Sequence, residues 1–209
     1  MKLLFVHGWG FDNSIWAGLA GRFPDSAMWD KGYFGEASEL VITGPFVAVT
    51  HSFGTMRFLA SLPSACRGIV AINGFDRFCE NEGFPGVQRR VLNRMIARFA
   101  SDPGGVLTDF RQRCGSIEHA GPFDPARLRQ DLLALREGDC RELVARSGLP
   151  ILSLQGGQDP ILPSAMRGAV FSRAARCERI TLESGGHLLP IQDAATCAEA
   201  ISAFMEQLT

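Results

Sequence analysis

The chain has 209 residues, a length that suits one domain with a sizeable core. With 46% hydrophobic and 21% charged residues and a formal net charge of −1, it reads as a folded globular protein whose overall field favours neither nucleic acid nor a membrane surface. The apolar start Lys2–Val6 ends at His7-Gly8, too short for a signal-peptide core, and no stretch reaches the roughly 20 apolar residues of a membrane helix. The cysteines at 66, 79, 114, 140, 177 and 197 contain no Cys-x-x-Cys pair, so reduced thiols, no metal site and a cytoplasmic location are expected.

In chain order, short apolar runs each end at a turn signal. Leu3–Val6 stops at His-Gly-Trp-Gly. A helical pattern follows over Ser14–Arg22, and Ala27–Trp29 is a candidate strand. Between Asp30 and Phe46 there is room for only a stub of helix. Phe46–Val49 then runs to Ser52, and Thr55–Leu62 is helical. Ile69–Ile72 stops at Asn73-Gly74. Residues 76–146 show a helix-like pattern throughout and no convincing strand, which predicts a helical cap inserted between two sheet halves. Ile151–Leu154 stops at Gly156-Gly157, and Ser164–Arg173 is helical. Ile180–Leu182 stops at Ser184-Gly185-Gly186. Over Ala195–Gln207 and just beyond, Ala200, Ile201, Phe204, Met205 and Leu208 share one helix face. Strands this short and apolar, separated by helices, predict an α/β domain over 1–209 with a mostly parallel sheet flanked by helices.

The run FVAVTHSFGTM ends a buried strand at one hydroxyl. A hydroxyl is a weak nucleophile until a base takes its proton, and a sharp strand-to-helix turn can lift it clear of the sheet. Ser52 is thus a candidate nucleophile, with a helix-capping serine as the alternative. GGQDPILP places Asp159 after one strand, and ESGGHLLP places His187 after the next. The order Ser, Asp, His at successive strand ends suits a triad in which His187 takes the Ser52 proton and Asp159 holds its tautomer. The Trp9 and Phe53 N–H groups are candidate oxyanion donors. Asp76, after the Ile72 strand, is the rival acid. His7 is expected to brace the oxyanion loop, His51 to point away from Ser52, and His119 to be exposed. The sequence Thr-x-Ser-x-Gly puts Thr50 where the tightest turns carry glycine; the short preceding segment is expected to leave space beside it.

These motifs resemble the α/β-hydrolase superfamily over essentially the whole chain. LLFVHGWGFDNSIW, FPGV, DFRQRC, LPILSLQGGQDPILP and SGGHLLPIQDA are similar, more narrowly, to the pimeloyl-[acyl-carrier protein] methyl ester esterases of biotin synthesis. DKGYFG stands where that family usually carries Asp-x-Pro-Gly-x-Gly, and the superfamily's usual leading hairpin is expected to be absent. The resemblance implies an α/β-hydrolase fold and a serine carboxylesterase without a cofactor. It also implies a small acyl ester substrate presented on acyl carrier protein, with Trp9, Phe53 and Phe110 contacting the acyl group. A monomer is expected, with no nucleic-acid or membrane partner. Val87, Val91, Met95 and Phe99 recur every four residues and predict an apolar helix face over the Ser52 pocket. Arg90, Arg94 and Arg98 recur at the same step on a separate face, either a carrier dock or a solvated surface. A hydrolase of another acyl ester or thioester would keep the triad and differ in the cap. A non-catalytic binding module would usually have lost one of the three residues.

Overall fold

A computed structural model of the chain describes residues 1–116 and 121–208, so the expectation for His119 lies outside the described residues. Strands β1 (Lys2–Val6), β2 (Ser26–Trp29), β3 (Phe46–His51), β4 (Cys66–Ile72), β5 (Pro150–Gly156) and β6 (Arg176–Leu182) form one sheet in the order β2-β1-β3-β4-β5-β6. Every neighbouring pair is parallel. The inner strands are apolar on both faces because both faces are covered. Leu4, Val6, Ala48, Ile69, Ala71 and Ile151 face one core, and Leu3, Phe5, Val47, Val49, Val70, Leu152 and Leu154 face the other. The edge strand β6 runs longer than its apolar run suggested. Arg176, Glu178 and Arg179 belong to it, and charges of this kind protect an open edge from mispairing.

On one face lie a 3₁₀ turn (Asn13–Trp16), α1 (Ala17–Ala20), α8 (Leu189–Gln192) and α9 (Ala194–Glu206). On the other lie α2 (Phe53–Ala60), α3 (Arg89–Phe99), α4 (Pro103–Arg113), α5 (Pro125–Glu137), α6 (Arg141–Ser147) and α7 (Ser164–Ala169). Two of these helices share a start signal. Asp102 accepts from Gly105 N–H ahead of Pro103, and Asp124 accepts from Arg127 N–H ahead of Pro125. The helix expected over Ser14–Arg22 is a 3₁₀ turn and one α turn that stop at Gly21. That expected over Ser164–Arg173 stops at Ala169, and Phe171 takes φ 55° with its N–H on Asp76 Oδ2.

The segment 76–146 is not helical throughout. Its first part, 76–88, carries isolated bridges (Arg77 to Asp139, Cys79 to Val87, Asn81 to Phe84) and turns. Gly83, Pro85 and Gly86 end any helix there; a Cβ on Gly86 would lie 2.4 Å from the Phe78 carbonyl. No helix forms between residues 30 and 45, less even than the expected stub. None of the described helices is long and apolar enough to cross a membrane.

Candidate active site

The candidate nucleophile sits at a strained turn. Strand β3 ends at His51, Ser52 takes φ 52° and ψ −128°, and α2 begins at the next residue. A positive φ is disfavoured for a residue with a Cβ, so the surrounding packing must enforce it. Gly54 shows how tight the turn is, since a Cβ there would lie 2.5 Å from the His7 carbonyl and 2.6 Å from that of Val6. Thr50 is buried, and what accommodates it is a partner rather than empty space. Its Oγ1 lies 2.7 Å from Thr55 Oγ1, one turn into α2. Gly74 makes room for that pair, because a Cβ there would come within 2.2 Å of Thr55 Oγ1.

The loops after β5 and β6 close on this turn. His187 Nδ1 lies 2.7 Å from Asp159 Oδ2, and Nε2 lies 3.1 Å from Ser52 Oγ. All three residues are buried. Burial raises the Asp159 carboxyl, but the His187 charge and hydrogen bond, with N–H donors from Ile161 and Leu162, outweigh it and leave the pKa below the ordinary value. The structure therefore brings Ser52, His187 and Asp159 into one hydrogen-bonded chain. Asp76 is not part of it. Its Oδ2 accepts from Phe171 N–H at 3.2 Å, and burial raises its pKa. His51 points away from Ser52, and its Nε2–H donates to the His187 carbonyl at 2.9 Å. Burial first, and then the neighbouring His187 charge, push the His51 pKa down to about 3, so its ring is neutral.

Trp9 and Phe53 line the same cavity as Ser52. Phe53 is the first residue of α2, where backbone N–H groups have no acceptor within the helix. The turn holding Trp9 is tied from three sides. Trp9 Nε1–H donates to the Leu128 carbonyl at 2.8 Å, and Arg111 Nη1 donates to the Gly10 carbonyl at 2.8 Å. His7 accepts the Lys31 N–H at Nε2 and pairs through Nδ1 with the Gly8 carbonyl, each at 2.9 Å, which fits a bracing role. Ser52 opens into a cavity of about 380 Å³ lined by Trp9, Phe53, Phe75, Val106 and Phe110, among others. Among the described residues no group of three or more His, Cys, Asp or Glu side chains is placed to hold a metal ion.

No protein-family model matches the chain. It is similar to the pimeloyl-[acyl-carrier protein] methyl ester esterase of Stenotrophomonas maltophilia, 26% identical with 99% of this chain and 93% of that protein covered. The protein of the same name from Neisseria meningitidis is 22% identical, with 98% of this chain and 77% of that protein covered. Among solved structures, an esterase from Exiguobacterium antarcticum superposes with a TM-score of 0.84 at 15% identity, covering 99% of this chain and 92% of that one. A hydrolase from Oleispira antarctica gives 0.83 at 14% identity, covering 98% and 90%. The chain has the α/β-hydrolase fold.

Within this hydrolase fold, the apolar row expected over the Ser52 pocket lines it through Val87, Val91 and Met95, while Phe99 is buried in the core. Leu92, Ile96 and Phe99 are the residues it buries, whereas Val91 is 46% exposed. Val91, Arg94, Met95 and Arg98 line the cavity together. The reason is helical pitch: steps of three and four residues alternate along one face, and a pure four-residue row drifts off it. Arg94 and Arg98 are thus at the cavity mouth and not on a separate face; Arg90 alone of the row lines no part of the cavity and reaches Gln88 Oε1 at 2.9 Å. Arg98 is paired with Asp102 and Asp109. Phe110 lines the cavity as expected, its ring 4.9 Å from Trp9 and 6.5 Å from His187. Phe75, Phe78, Leu132 and Leu135 line it too, without any motif that could have marked them, as does Ile161 of the GGQDPILP turn. Arg113, whose role the sequence did not suggest, joins Arg94 at the mouth.

Proposed function

We propose that the chain is a carboxylic ester hydrolase that works through an acyl-enzyme on Ser52. The observation that carries this reading is the hydrogen-bonded chain from Asp159 through His187 to Ser52, opening into an apolar cavity. Ser52 Oγ attacks the ester carbonyl carbon as its proton passes to His187 Nε2. The carbonyl electron pair moves onto oxygen, toward the N–H groups of Trp9 and Phe53. Collapse of the tetrahedral intermediate expels the alcohol, which leaves with the proton from His187. Water then gives a proton to His187 and its oxygen to the acyl carbon, releasing the acid and restoring Ser52. Asp159 keeps the Nδ1 proton in place and stabilises the imidazolium through both halves.

The substrate we infer is the methyl ester of a pimeloyl chain on acyl carrier protein. Its support is the name shared by the curated relatives and the apolar lining that an acyl chain would fill. In this reading α3 to α6 serve as the cap, and the arginines at the mouth receive the anionic carrier. Ser52→Ala should lower turnover of p-nitrophenyl butyrate by about three orders of magnitude or more. Asp159→Asn should cost far more than Asp76→Asn, and the reverse ranking would move the acid role to Asp76. Offered the carrier-bound methyl ester and an acyl thioester of the same carrier, the enzyme should cleave the methyl ester. Cleavage of the thioester alone would overturn the substrate assignment while leaving the esterase reading intact.

A further inference from the structure

Asn73, directly after β4, was legible in the sequence only as part of an Asn-Gly turn. In the structure it is fully buried at φ 46° and uses its side-chain amide on two different loops. Its Nδ2 donates to the carbonyls of Gly186 and His187, both at 2.9 Å. Its Oδ1 accepts the Gly156 N–H at 2.7 Å, at the end of β5 and three residues before Asp159. Its own N–H donates to the Leu154 carbonyl at 2.8 Å, fixing the amide to the sheet. The two loops are also pressed together as backbone. A Cβ on Gly156 would lie 2.3 Å from the Gly186 carbonyl and 2.6 Å from that of Gly185. The His187 carbonyl takes a second donor from His51 Nε2–H, so the residue carrying the imidazole is held on two sides.

We propose that Asn73 is a positioning residue for the Asp159–His187 pair, an inference that rests on reading Ser52, His187 and Asp159 as the reacting set. Glycine would adopt this backbone at least as readily, so what asparagine adds is the amide. That amide presents donors to one loop and an acceptor to the other, in one rigid plane. Losing it leaves the buried Gly156 N–H and the half-buried Gly186 carbonyl short of a partner and the His187 carbonyl with His51 alone, so the two loops are free to shift relative to each other. The 2.7 Å contact between His187 Nδ1 and Asp159 is the geometry such a movement disturbs. Catalytic geometry of this kind tolerates little displacement.

The test compares Asn73→Gly, which keeps the backbone conformation, with Asn73→Asp, which keeps the acceptor and loses the donors. Activity is expressed per folded molecule, with p-nitrophenyl butyrate as substrate. Both variants should lose roughly 10-fold or more in kcat with KM nearly unchanged, because the cavity is untouched. The downfield proton resonance of the His187 Nδ1–H on Asp159 should broaden or move upfield. In an Asp159→Asn background the same substitutions should cost less than about 3-fold, since the pair they position is already broken. If Asn73→Asp fails to fold, the Asn73→Gly comparison decides. Parental kcat and an unmoved resonance in Asn73→Gly, even with a lowered melting temperature, would make Asn73 a structural anchor and end the proposal. So would full additivity with Asp159→Asn. Ser52→Ala, assayed alongside, separates the layers. An active Ser52→Ala overturns the underlying reading. An inactive one beside a parental Asn73→Gly overturns only the proposal.

Discussion

Ser52, His51 and Asn73 are neighbours in space whose backbone or protonation state is unusual for a reason. Ser52 and Asn73 both take positive φ values at strand ends, where the chain must leave the sheet abruptly. His51 stays neutral because burial outweighs everything else around it. That neutrality links stability to pH. A base whose folded pKa lies below its unfolded value binds fewer protons when folded, so stability rises with pH between the two values. For His51 the window runs from 6.5 down to about 3. The full contribution is present above 6.5 and is lost as the pH falls through that range. Urea midpoints should therefore decline on mild acidification, and His51→Gln, which keeps a donor for the His187 carbonyl, should flatten the decline. Asp76 acts in the opposite direction, because a carboxyl with a raised folded pKa gains from acidification, so it cannot account for such a loss. An unchanged slope in His51→Gln would assign the acid sensitivity to another group.

Between β3 and α2, the Thr50–Thr55 hydroxyl pair ties the end of the strand to the first turn of the helix. The residue where a glycine is usual therefore stabilises the turn through a bond that glycine could not make. Thr50→Val keeps the shape and strands the Thr55 hydroxyl, at a cost of about 1–3 kcal/mol for an unsatisfied buried group. Removing both hydroxyls with Val at 50 and 55 should recover part of that loss, because no partner is then left bare. Urea denaturation of the two single variants and the double variant measures this directly. A strictly additive double variant would mean the 2.7 Å contact contributes nothing to the fold. A similar tie joins the loop after β1 to the helices above it. Arg111 on α4 and the Leu128 carbonyl on α5 hold Gly10 and Trp9, so the candidate oxyanion donor is set partly by helices distant in sequence.

For the molecule as a whole, the formal charge of −1 hides a local asymmetry. Arg94, Arg98 and Arg113 stand at the cavity mouth, and Asp109 is the acid that lines the cavity with them. Arg98 is already engaged with Asp102 and Asp109, while Arg94 and Arg113 make no ion pair among the described residues. These two are therefore better placed than Arg90 to receive an anionic carrier. Exposed ion pairs contribute only about 0–1 kcal/mol each, so a single substitution is a poor probe. A double Arg94→Ala/Arg113→Ala variant should lose about 10-fold in kcat/KM on the carrier-bound methyl ester. The loss on p-nitrophenyl butyrate should be several-fold smaller, and the parent's rate on the carrier substrate should fall with added salt. Equal losses on both substrates, or no salt dependence, would mean that the mouth shapes the cavity without docking a carrier.

The strands and their turn signals were readable because doubly covered parallel strands are continuous apolar runs, and each such run appears in the sheet. The Ser, Asp and His positions were readable for a related reason. Strand ends on one edge of a parallel sheet converge, so chain order and punctuation alone bring Ser52, Asp159 and His187 toward one place. Helix existence was legible over α2 and α9, where the apolar period matches one buried helix face. It was not legible over 76–88, where short bridges between non-neighbouring residues replace any local pattern. Cavity-lining residues such as Phe78, Leu132 and Leu135 carry no signal, because an apolar side chain looks the same in sequence whether it faces a core or a ligand space. The four-residue repeat placed Val91 and Met95 at the cavity but not Leu92 and Ile96 in the core, since packing against α4 and α5 decides which side of α3 is buried. Asn73 escaped notice for the deepest reason. Its partners lie on loops more than 80 residues away, and a hydrogen bond between such loops exists only once the sheet has brought their ends together.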